Sequence, residues 1–223
     1  MSKNLNLQSL LEFYDYRPPK SKGHASAINA VLGENIAIEL MKHYFKGEGY
    51  EVTSVQPCTQ GARRGHRLDI WFGLEKGDNK TIHQVEIKNW SAHSLGGIQV
   101  DKDWDQHRME QHRKMVWGRR FNIENKVPAE IASEKVLTQM MIPDEYRQYK
   151  QHKALLCFWE PMHPEGKLIP LFEVPVISEA FNTLSVFSMS NYVSILLRQK
   201  IATLEVCMEE ADARVDWLQQ LYS

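Results

Sequence analysis

Cysteine is scarce in this chain: Cys58, Cys157 and Cys207 are widely spaced and form no CxxC pair. That argues against a disulfide framework and against a thiolate-built zinc or iron–sulfur site, and it points to a reducing compartment. No run of about 18 apolar residues is present, so no segment reads as a membrane-spanning helix. The opening "MSKNLNLQSLLEF" lacks a signal-peptide layout, and the expectation is a cytoplasmic protein. Net charge is nearly absent as well, with 27 Lys and Arg against 28 Asp and Glu. Coating of nucleic acid through bulk charge is therefore a poor fit. What is present is ordinary for a globular chain: 43% hydrophobic and 25% charged residues over 223 positions, enough to bury a core without covalent staples.

The neutral sum hides segregation. Arg108, Arg113, Lys114, Arg119 and Arg120 stand against one acid, Glu110, in "RMEQHRKMVWGRR", whereas the tail "EVCMEEADARVD" is acidic. A basic face is thus available despite the balance.

Leu7, Leu10, Leu11 and Tyr14 recur at helical spacing, and "RPPK" ends that helix. After the polar connector "SKGHAS", Ile36, Ala37, Leu40, Met41, Tyr44 and Phe45 form the stripe of a second helix. Strands follow at 50–55, 67–74 and 81–90, the last two forming a hairpin with a somewhat long loop, "EKGDNK". A helix is expected over about 103–121, then a strand buried on both faces over 153–161. "KLIPLFEVPVI" and "TLSVFSMS" offer further strands. This order predicts an α/β fold, a mixed central sheet flanked by helices.

A long C-terminal helix capped by Ser190 is expected beyond it, because Leu197, Ile201, Leu204, Met208, Ala211, Val215, Leu218 and Tyr222 alternate four and three apart. Such a seam either packs on its own domain or joins two copies in a homodimer. The division that results is 1–24 for an N-terminal helix and linker, 25–180 for the main domain and 181–223 for a C-terminal strand and helix.

One strand carries charges where a core strand should not. In "HQVEIKNW", alternation puts Gln84, Glu86, Lys88 and Trp90 on one face and Val85 and Ile87 on the other. Asp69 lies between Leu68 and Ile70 on the preceding strand, and hairpin pairing brings it toward Glu86. Two carboxylates brought together repel unless a divalent cation lies between them. Mg²⁺ suits such a pair, since it takes oxygen ligands, needs one or two carboxylates and keeps several waters. A nearby amine such as Lys88 can orient a bound water or neutralise charge developing on a phosphate. The plain alternative is a surface hairpin with a Glu86–Lys88 salt bridge.

Asp69, then residues 70–85, then Glu86-Ile87-Lys88 resembles the PD-(D/E)XK nuclease superfamily, the restriction-endonuclease-like fold. The helix–strand–strand–strand–helix–strand order of residues 28–160 is similar to that family's core. Leu68 departs from the pattern, standing where the name-giving proline would be. The resemblance implies Mg²⁺-dependent hydrolysis of phosphodiester bonds in DNA, with Mn²⁺ able to substitute. It implies metal held by Asp69, Glu86 and the carbonyl of Ile87, with Lys88 acting on the attacking water or the scissile phosphate. Family members often add an acid from the first core helix. Glu34, at the border of the apolar stripe, is the candidate; Glu39 falls on the opposite, solvent side of the helical wheel.

Arg63, Arg64, His66 and Arg67 cluster in the loop entering the Asp69 strand, and Arg108, Arg113 and Lys114 line the basic helix. Both groups are candidates for phosphate contacts, which give affinity without base choice. Two other readings stand beside the nuclease. One is a catalytically silent nucleic-acid-binding or assembly module on the same fold, and the other is a dimerisation scaffold organised by the C-terminal heptads.

Overall fold

Apolar side chains of the 70–87 hairpin are buried on both faces of the main sheet. The computed structural model describes residues 2–15, 32–57, 69–88, 134–149, 151–159, 168–175 and 179–221. The chain begins with β1 (Ser2–Asn6), α1 (Leu7–Asp15), α2 (Glu34–Gly47), β2 (Glu51–Pro57), β3 (Ile70–Lys76) and β4 (Asn79–Lys88). It continues with α3 (Glu134–Leu137), β5 (Gln151–Phe158), β6 (Leu171–Pro175), β7 (Thr183–Ser188), α4 (Met189–Arg198), β8 (Thr203–Cys207) and α5 (Glu209–Gln220).

Six strands form a mixed sheet in the order β2-β3-β4-β5-β7-β6, with β4, β5 and β7 parallel and the other pairings antiparallel. The α/β class with a mixed sheet is therefore as expected. Ile70, Phe72, Leu74, Val85 and Ile87 bury one face against α1, α2 and α4. Trp71, Ile82, Leu156 and Val186 bury the other against Val136, Leu137, Met140, Tyr146 and Tyr149. A sheet covered on both faces explains the near-continuous apolar run of β5. β7, beyond residue 180, lies inside this sheet between β5 and β6.

The β3–β4 hairpin is tighter than its sequence suggests. Lys76 pairs with Asn79, so only Gly77 and Asp78 form the turn, and Gly77 adopts φ +57°. Glu75 and Lys80, read as loop residues, face each other across the ladder and form a 2.8 Å ion pair. That pairing carries the strands to the turn.

The C-terminal region departs furthest from expectation. Instead of one long helix, α4 ends at Arg198, Lys200 takes a left-handed φ of +64°, and β8 precedes a separate C-terminal helix, α5. The seam from Leu197 to Tyr222 is therefore not continuous. Leu204 and Val206 alternate with exposed neighbours and pack into the core, a period of two that competes with the heptad reading. Ser188 caps α4, not Ser190: its hydroxyl accepts the Asn191 N–H at 3.3 Å.

β8 pairs antiparallel with β1, a strand the sequence did not suggest, in a two-stranded ribbon. This ribbon also corrects the reading of Glu39 as a solvent-facing residue. Glu39 accepts the Cys207 N–H at 3.1 Å and pairs with Lys42 at 2.6 Å. A helical wheel identifies the face toward the sheet, and it is blind to a second layer on the other side.

Helices α2 and α4 meet through aromatic rings, with Tyr44 against Tyr192 and Phe187 of β7 packed against both. His43 Nδ1 shares a 2.5 Å hydrogen bond with the Tyr192 hydroxyl. Burial, then Tyr44 and Glu48, push the Tyr192 phenol up to about 12. Burial, then the Lys46 charge, lower the His43 imidazole below its ordinary 6.5. The folded state therefore binds fewer protons at His43 than the unfolded chain. Stability should be complete above the unfolded value, fall as pH drops through it, and level off below the folded one. Urea midpoints measured from pH 8 to pH 5 should show this decline, and His43→Gln should flatten that part of the profile.

Candidate active site

The hairpin register decides where the two carboxylates go. The paired ladder of β3 and β4 ends at Ile70 opposite Val85, so the next step places Asp69 opposite Glu86. There a side chain replaces a main-chain acceptor: Asp69 Oδ2 accepts the Ile87 N–H at 2.6 Å. This bond binds the Asp69 carboxylate to the Glu86–Ile87 peptide and gives it a set position at the strand ends.

Glu86 is buried, with 2% of its surface exposed, whereas Asp69 is half-buried. Keeping an ionised carboxylate out of water costs several kcal/mol by order of magnitude unless opposite charge or hydrogen bonds compensate. Asp69 makes its charge felt two strands away. The buried Cys157 thiol, in register with Ile87, is pushed well above its usual range, first by burial and second by Asp69.

Gln84 stands two residues before Glu86 on the same face of β4 and is fully buried. Its amide nitrogen donates to the carbonyls of Val136 and, at 2.9 Å, Thr138. Its amide oxygen accepts the Met140 N–H at 3.0 Å. Sequence reasoning placed Gln84 on this face but gave it no role. The available signal was an amide between Ile82 and Glu86 in a strand otherwise built for burial.

Lys88 closes β4 in register with Phe158, and the description covers its backbone only. Glu34 is the first residue of α2 and is exposed. A short turn carries α2 into β2, whose first residue, Glu51, pairs with Glu75 near the hairpin tip. The helix packs on the Val85 and Ile87 face, opposite to Glu86. Arg63, Arg64, His66, Arg67, Arg108, Arg113 and Lys114 all lie outside the described residues, as does the helix expected over 103–121.

Among the described residues no three His, Cys, Asp or Glu side chains gather in a metal-binding group. The donors that the resemblance implies, the Asp69 and Glu86 carboxylates and the Ile87 carbonyl, are all oxygen, the chemistry that suits a hard cation which retains water. No described helix is long and apolar enough to cross a membrane. Comparison of the chain with family models, curated proteins and solved structures finds no match.

Proposed function

We propose that the protein is a divalent-cation-dependent endonuclease that hydrolyses phosphodiester bonds in DNA. The observation that supports this best is the apposition of Asp69 and Glu86, secured by the bond from the Ile87 N–H to Asp69 Oδ2. It is the arrangement that the resemblance to PD-(D/E)XK nucleases calls for. Asp69, Glu86 and the carbonyl of Ile87 would hold Mg²⁺ or Mn²⁺. When bound, the cation supplies neutralisation of phosphate charge and a more acidic water. The chain's own part is to keep the two carboxylates together at the end of the sheet and to limit the water around Glu86. Lys88 is assigned to the attacking water or the scissile phosphate, and Glu34 to a supporting water contact. The arginines and lysines at 63–67 and 108–114 would grip phosphates beside the cut. The free thiols Cys157 and Cys207 are in keeping with a cytoplasmic location.

Purified protein with Mg²⁺ should cut at least one DNA among supercoiled, linear, branched and single-stranded substrates, with RNA as the comparison. Lys88→Ala should lower the rate by about 100- to 1,000-fold, the loss usual for one preorganised charge-stabilising group. DNA retention without cutting would favour a silent binding module. Equal behaviour of wild type and Lys88→Ala on every substrate would remove the nuclease reading.

A further inference from the structure

We propose that Gln84 is a positioning residue for cation binding: its carboxamide locks residues 136–140 onto the sheet face that carries Glu86 and so keeps the Glu86 carboxylate in a water-poor setting. This inference rests on the assignment of Asp69 and Glu86 as cation ligands.

Three hydrogen bonds from one side chain reach three main-chain groups within five residues, at Val136, Thr138 and Met140. Only the first of those positions is helical; from Thr138 to Pro143 the chain has no regular element to hold it. Gln84 and the apolar burial of Val136, Leu137 and Met140 both contribute to its attachment to the sheet. Those side chains share a cluster with Leu156, the register partner of Glu86 on β5. The segment that Gln84 holds therefore packs on the same sheet face as Glu86, which stands two residues further along β4.

An apolar side chain at 84 would also fill this volume, yet it would remove three hydrogen bonds to the main chain of residues 136–140 and would set no direction. The amide does both tasks, fixing which backbone atoms face β4. A water-poor setting matters for a cation because its attraction to a carboxylate grows as the effective dielectric falls. Groups that orient ligands without touching the metal typically contribute about 10- to 100-fold in affinity.

Coupling between this segment and the cation must be reciprocal. If the docked segment favours the cation, the cation must favour the docked segment. The test needs Mn²⁺ alone as probe. In the wild type, saturating Mn²⁺ should slow hydrogen exchange of the Met140 amide. In Gln84→Met, calorimetric titration at low temperature should show Mn²⁺ binding weakened by about 10- to 100-fold. Cleavage by this variant should recover toward the wild-type rate as Mn²⁺ is raised. A merely structural role would lower thermal stability while leaving the folded protein's Mn²⁺ affinity unchanged. Should Gln84→Met fail to fold, the exchange experiment on the wild type decides. Wild type that binds Mn²⁺ with Met140 exchange unaltered overturns the role of Gln84 and spares the metal assignment. Wild type that takes up no Mn²⁺ overturns the metal assignment, and this inference with it.

Discussion

Asp69→Asn should abolish detectable cleavage at a modest cost in stability, about 1 kcal/mol, because a neutral acceptor replaces a charged one. The structural contact of this side chain and its proposed role as a cation ligand are separable because they use different properties. Accepting the Ile87 N–H at 2.6 Å requires an oxygen, and an asparagine carbonyl supplies one in the same place. Attracting a divalent cation requires negative charge, which asparagine lacks. On the proposed function the charge removed would stand preorganised at the reacting centre, and the expected loss is at least about 100-fold in rate. Asp69→Leu should add a structural penalty of about 1–3 kcal/mol, because the Ile87 N–H then loses its acceptor. Cleavage of plasmid DNA with Mg²⁺ and urea unfolding, run in parallel on both variants, separate the two effects. Cutting by Asp69→Asn at the wild-type rate would show that the carboxylate pair is not the reacting centre.

The pairing that supports this prediction was legible in the sequence for a simple geometrical reason. A hairpin centred between Gly77 and Asp78 brings together residues equally far from that centre, which puts 69 opposite 86 whatever the loop length. Reading the loop as 75–80 instead of 77–78 therefore left the register unchanged. The stripe of α2 and the both-face burial of β5 were legible too, since each follows from local periodicity. Long-range partners were not. Gln84 meets residues more than fifty positions away, and nothing in either stretch names the other. β1 pairs Leu5 with Leu204, and five-residue strands so far apart carry too little pattern to announce each other. The Glu39 contact with Cys207 depends on that same ribbon, so it was hidden with it.

The broken heptad seam yields the second large effect, because its members now divide into two kinds. Leu204 is 4% exposed, pairs with Leu5 and packs in the core beside Val206. Leu218, on the same supposed seam, is 38% exposed on α5. Leu204→Ser should cost at least about 3 kcal/mol, from the cavity left by the side chain and the hydroxyl placed in it. Leu218→Ser should change stability by less than about 0.5 kcal/mol, as exposed substitutions usually do. One continuous dimerisation helix would make the two variants alike, each weakening association. The observed fold makes them opposites: Leu204 acts within the chain, whereas Val215, Trp217 and Leu218 on α5 and Leu221 at its C-cap are exposed and open to a second copy. Urea unfolding with sedimentation at matched concentrations distinguishes the cases. A stability loss shared equally by both variants would mean that Leu218 is buried in solution, and α5 would then be an interface after all.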